Sequence, residues 1–287
     1  MKNRLLLFSL LFFGSIGSSA QSLLWEISGN GLKQPSYLFG TYHILKDSYL
    51  NQSPRVKTAF TQAEGVVVET VIDSSAMLQL AMRAMMLDKS LPKLLSEADY
   101  KRVADEFKRA TGYDMMLFNQ MKPIVTATML GLAYTESEND TLRTFTGQPL
   151  DLHFASEGKR SGKVVTALET MEQQMGFLYD HDPVEKQAAD LVMMIRQKDD
   201  MLISGKQITE LYLRGDLAGM WKLSQTYEQK FGDMAYLVKD RNQNWMKQLP
   251  AKLALRPTFI AVGALHLPGP DGLLELLKKA GYAVKPL

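Results

Sequence analysis

The chain has 287 residues, 46% of them hydrophobic and 22% charged, ordinary values for a globular protein with room for a sizeable core. It has 33 Lys and Arg, 31 Asp and Glu, and no Cys. That composition excludes disulfides, thiolate catalysis and a Cys-linked lipid anchor, and it offers no basic block of the kind that binds nucleic acid.

Residues 1–20 read as a secretory signal peptide. Lys2 and Arg4 precede an apolar run from Leu5 to Ile16, and Ser18-Ser19-Ala20 is a small-residue cleavage pattern. Cleavage after Ala20 leaves 31 residues of each charge sign and implies an exported protein, periplasmic or secreted. No later segment is long and apolar enough to serve as a stable transmembrane helix. Residues 21–287 are expected to form one domain.

Two strands joined by a glycine-rich turn are expected first, Leu23–Ile27 and Ser36–Phe39 around Ser28-Gly29-Asn30-Gly31. Helical spacing follows over Pro54–Ala63. Gly65-Val66-Val67-Val68-Glu69-Thr70 then reads as a strand buried on both faces, as in a parallel sheet covered by helices. A helical insertion runs over about residues 74–150, with Ser96-Glu97-Ala98-Asp99 in the form of a capping box. Gly162–Thr170 is a second strand that finishes in Glu-Thr. Asp182-Pro183-Val184-Glu185 offers an N-cap, a first-turn proline and an N3 acid, so a long helix should open a second insertion over about 183–250. The chain closes with a strand (Thr258–Val262), a helix (Asp271–Ala280) and a short strand near Tyr282–Val284. The expected class is α/β, a central mixed sheet covered by helices and carrying helical insertions.

Only four residues are His, and two share one setting. Gly40-Thr41-Tyr42-His43 and Gly263-Ala264-Leu265-His266 each follow an apolar strand, just as Glu69 and Glu169 end two others. In open α/β sheets, ligands bind beyond the carboxyl ends of the strands. Four such ends converging would gather two imidazoles and two carboxylates. These are ligands for Mn²⁺, Co²⁺, Zn²⁺ or Fe²⁺, with a position left for a hydrolytic water. A lone Gly-x-x-His carries no information, and Glu-Thr after a strand is also an ordinary helix start; the pairing gives them weight. His153 reads as a packing or capping residue and His181 as part of a helix start. The crowded Met77, Met82, Met85 and Met86 read as helix packing, or as the wall of a groove for an apolar ligand. Neither a phosphate-binding Gly-rich loop nor a Gly-x-Ser-x-Gly elbow is present.

Leu24-Trp25-Glu26-Ile27, Gly40–His43, Val68-Glu69-Thr70, Leu168-Glu169-Thr170 with Glu172-Gln173, Arg241-Asn242 and Gly263–Leu267 together resemble the TraB/GumN family, which includes the Tiki proteases. The resemblance implies a fold similar to erythromycin esterase and the haem-binding ChaN protein. It also implies a metal-dependent peptidase acting on a peptide substrate. His43, His266, Glu69 and Glu169 would be the metal set. Glu69 would serve as ligand or general base. Arg241 would stabilise an oxyanion or hold a substrate carboxylate, and Asn242 would position a partner. The alternative is a non-catalytic binder of a hydrophobic peptide or of haem, with His43 or His266 as axial ligand.

Overall fold

Three successive left-handed residues, Gly29, Asn30 and Gly31, make the first turn, a conformation that only glycine and asparagine adopt readily. They join β1 (Leu24–Gly29) to β2 (Ser36–Thr41), which pair antiparallel with Leu24 opposite Phe39. The remaining strands are β3 (Gly65–Val68), β4 (Val164–Ala167), β5 (Thr258–Gly263) and β6 (Tyr282–Pro286). Together they form one six-stranded mixed sheet in the order β4-β3-β5-β2-β1-β6. The computed structural model describes residues 21–71, 74–232 and 235–287, so the signal peptide expected over residues 1–20 lies outside the described residues.

β2, β3, β4 and β5 run parallel to one another. Every residue of β2, β3 and β5 is buried, which is why these segments read as unbroken apolar runs rather than alternating ones. Edge strand β6 alternates instead. Phe39, Phe60, Phe154 and Phe259 stack in the main core beside Val66, Val67, Ile260 and Val262.

The insertions are helical as expected, and they pack against each other. Phe107, Leu130 and Tyr134 of the first meet Leu191, Val192 and Ile195 of the second in a separate apolar cluster. Each such fully buried side chain contributes about 1.5–3 kcal/mol. Ser96 caps the helix Glu97–Thr111 by accepting from the Asp99 amide at 3.1 Å. The expected cap at Asp182 does not form. The helix begins at Val184 with Pro183 before it, and the Asp182 carboxylate instead binds Lys186 at 2.9 Å. Nor is the second insertion one long helix. It breaks into Val184–Arg196, Lys198–Leu213, Leu217–Phe231, Lys239–Met246 and Leu249–Leu255, with left-handed Gly215 and Gly232 ending two of the pieces.

Met86 is buried in the second cluster, whereas Met77, Met82 and Met85 are exposed. His153 is partly buried and its Nδ1 lies 3.0 Å from Asp47. His181 stacks on Tyr236 with ring centroids 3.6 Å apart. Among the described residues, no helix is long and apolar enough to cross a membrane.

Candidate active site at the carboxyl edge of the sheet

Sheet register alone assembles the site. Val68 of β3 stands opposite Ala167 of β4 and Ala261 of β5, and Thr41 of β2 stands opposite Gly263. One step beyond those pairs, the Glu169 amide donates to the Glu69 carbonyl at 3.0 Å. Both Glu-Thr ends and both Gly-x-x-His segments therefore leave the sheet at the same edge. The helix-start reading of Glu-Thr holds as well. Thr170 forms a capping box with Gln173 at the head of Met171–Tyr179, while Glu169 turns the other way, into the site.

Arg241 is buried between the two carboxylates. Its Nη2 donates to Glu69 Oε2 and, at 2.6 Å, to Glu169 Oε1; its Nε donates to Glu169 Oε2 at 3.2 Å. Its Nη1 donates to the Leu237 carbonyl at 3.1 Å and lies 3.2 Å from His266 Nε2. Every N–H direction of the guanidinium thus has an acceptor inside the protein, leaving none for a substrate oxyanion in this arrangement. Glu169 is just as fully engaged, receiving Trp245 Nε1 at 3.1 Å and Gln174 Nε2 at 3.1 Å besides Arg241.

Asn242 sets the tautomer of His266. Its Nδ2 donates to the carbonyls of His266 (3.0 Å) and Asp271 (2.8 Å), so its Oδ1 is left to accept from His266 Nδ1 at 2.7 Å. The proton therefore sits on Nδ1, and the lone pair of Nε2 faces inward, 3.9 Å from Glu69 Oε1. Burial pushes the pKa of His266 down to about 3 against the opposing pull of Glu69, with Arg241 and His43 acting in the same direction as burial, so the ring is neutral. For Glu69, burial raises the pKa, but His266, His43, Arg241 and the Gly263 amide together outweigh it and hold the group ionised.

His43 differs from its counterpart. His266 lies in a short 3-10 turn beneath Trp245 and is 5% exposed. The side chain of His43 is 65% exposed, on a bend at the mouth of the site. Its Nδ1 lies 2.8 Å from Asp151 Oδ2, and that carboxylate raises its pKa to about 9.

Gly263 is the meeting point. Its amide donates to Glu69 Oε1 at 2.7 Å. A Cβ there would stand 3.3 Å from both Glu69 Oε1 and His43 Nε2, tighter than an ordinary contact, so a larger residue would press these two atoms back from the end of β5. Gly40 is equally confined, because a Cβ would come within 3.0 Å of Ala264. Both glycines of the repeated motif are required for space rather than for a left-handed backbone.

Glu69, Glu169, Arg241, Asn242 and His266 are thus one connected network, with His43 at its rim. His43 Nε2 and Glu69 Oε1 at Gly263, with His266 Nε2 3.9 Å from that oxygen, are donors of the kind a divalent ion takes. Two carboxylates against one guanidinium also leave a negative charge for a cation to balance. As the side chains stand, no set of three or more His, Asp or Glu among the described residues is grouped closely enough to hold a metal ion. Sequence reasoning missed Gln174 and Trp245 as partners of Glu169, and Asp151 as the partner of His43; none carries a pattern that sets it apart from its neighbours. The sequence model of the TraB/PrgY/gumN family matches residues 23–286. No curated protein and no solved structure matches the chain.

Proposed function

The chain belongs to the TraB/PrgY/gumN family, and on that footing we propose that it is an exported hydrolase that cleaves a peptide bond with the help of a divalent metal ion (Mn, Co, Zn or Fe). The observation that carries this reading is the meeting of His43 Nε2 and Glu69 Oε1 at Gly263, with His266 Nε2 3.9 Å from the same Glu69 oxygen. These three would hold the ion. When bound, it would supply Lewis acidity toward the scissile carbonyl and a water nucleophile at neutral pH.

The protein's own residues divide the remaining work. Asn242 holds the proton of His266 on Nδ1, so Nε2 carries a lone pair, which Arg241 Nη1 meets at 3.2 Å. Arg241, itself fixed by Glu169, holds Glu69 by one oxygen and keeps it ionised. Glu69 Oε1 would serve either as a ligand of the ion or, with the imidazoles holding it, as the base that accepts the proton of an attacking water. In this arrangement Arg241 sets charge and position and does not touch the substrate.

The test starts with the metal content of the purified protein and its cleavage of a peptide library with and without chelator. His43→Ala and His266→Ala should each remove chelator-sensitive cleavage, by at least about 100-fold, with the fold retained by circular dichroism. Wild-type turnover in both variants discards the reading, and a haem absorption band without cleavage replaces it with a binder. Glu69→Gln separates two roles: turnover lost with the ion retained makes Glu69 the base, whereas ion and rate lost together make it a ligand.

A further inference from the structure

The most exposed member of the site has the least packing to orient it, yet its ring is aimed across the mouth at Gly263. What aims it is Asp151, in the first turn of the helix Leu150–Arg160. One Asp151 oxygen accepts from His43 Nδ1, and the other from the hydroxyl of Thr41. Thr41 is buried on β2 and is the register partner of Gly263. The carboxylate is therefore fixed by the same pair of strands that carries the site. It also lies where the free amides of a helix start favour an anion.

The surrounding backbone is tied down as well. Leu150 N donates to the Leu45 carbonyl at 3.0 Å, Asp47 N donates to the Gln148 carbonyl at 2.9 Å, and Asp47 pairs with His153 at 3.0 Å. The two His–Asp pairs run in opposite senses between the His43 bend and the head of this helix. They hold the bend and the helix as one unit.

We propose that Asp151 is a positioning residue of the site, keeping a proton on His43 Nδ1 so that the lone pair of Nε2 faces Glu69 and His266. The inference rests on the reading of His43 as a metal ligand given above. Histidines that bind metals commonly donate their second ring N–H to a carboxylate, and loss of that partner costs about 10–100-fold in affinity. A surface ion pair without this role would leave ion affinity unchanged when broken, even where the ring proton moves.

The experiment uses the purified full chain, with Mn²⁺ or Zn²⁺ affinity measured by competition with a chromophoric chelator. The proton position on His43 is read by nitrogen-15 imidazole spectra of the ion-free protein at alkaline pH, where the ring is neutral. Asp151→Ala should weaken ion binding about 10–100-fold and move the ring proton to Nε2. Asp151→Asn, which keeps an acceptor oxygen in place, should retain the Nδ1 proton with a smaller loss, and it serves if the alanine variant does not fold. Unchanged affinity in Asp151→Ala, with affinity lost in His43→Ala, overturns this inference alone. Undiminished affinity in His43→Ala overturns it together with the metal-site reading.

Discussion

Buried carboxylates bind arginine in this protein in two different settings. In the helical layer, Glu106 takes Arg109 through two hydrogen bonds of 2.6 and 3.0 Å, Tyr134 Oη at 2.9 Å and Lys198 at 3.4 Å. Arg109 is its near neighbour in the same helix and faces solvent. At the sheet edge, Glu69 and Glu169 take an arginine more than seventy residues away in sequence from either of them, itself buried. Glu106 is satisfied and surrounded. Glu69 instead places Oε1 between the Gly263 amide at 2.7 Å and His266 Nε2 at 3.9 Å, with His43 Nε2 on the same side of Gly263. Burial and an arginine partner are common to both; imidazoles brought up from other strand ends are not, and they are what mark a site.

Arg241→Met should separate the two settings most strongly. It strands two buried carboxylates, and removing one partner of a buried charge pair typically costs about 3–5 kcal/mol; urea unfolding would read the loss. A cost below about 1 kcal/mol, the usual ceiling for an exposed pair, would make the edge network no tighter than a surface one. Glu106→Gln should cost less, about 1–2 kcal/mol, and leave both ion binding and peptide cleavage at wild-type level. A matching loss of cleavage would show that the helical layer and the sheet edge are coupled.

The gentlest probe is pH, applied to the ion-free protein. His43 has a folded pKa raised from 6.5 to about 9, so its contribution is complete below pH 6.5 and is lost as pH rises through 9. His266 has its pKa lowered from 6.5 to about 3, so its contribution is complete above 6.5 and is lost as pH falls toward 3. Hydrogen bonds from Arg109, opposed by burial, lower Glu106 from 4.5 to about 2, so the helical layer should weaken only below about pH 4.5. Melting temperature should therefore peak near pH 6.5. His43→Ala should flatten the alkaline side, and His266→Gln should flatten the acid side down to about 4.5. A profile unchanged by both variants would remove the distinction between an exposed charged ring and a buried neutral one.

Much of this arrangement could be read from residue order. Unbroken runs such as Val66-Val67-Val68 mark central strands because both faces of the sheet are covered, and parallel strands deliver their ends to a common edge. That logic placed His43, Glu69, Glu169 and His266 together before any register was known. It could not distinguish the histidines, since Gly-x-x-His is identical in both copies and the difference lies in what packs above them. Arg241-Asn242, inside Lys239-Asp240-Arg241-Asn242, reads equally well as an exposed charged helix face; what surrounds them is Glu69, Glu169, His266 and Asp271, all distant in sequence. Asp151 gave no signal because an acid in the first turn of a helix is commonplace, and only the fold brings it to His43. The missing Asp182 cap shows the same limit at short range, where a nearby lysine and a preceding proline decided which carboxylate did what.

The separate apolar cluster of the helices has a further consequence. Phe107, Leu130, Tyr134, Leu191 and Ile195 pack mainly with one another, while the reacting groups are set by strand ends. Selection can therefore reshape the outer helices, and with them whatever lies against Met77 and Met82, at little cost to the chemistry beneath. The outer helices and the sheet edge are thus free to vary separately within one polypeptide.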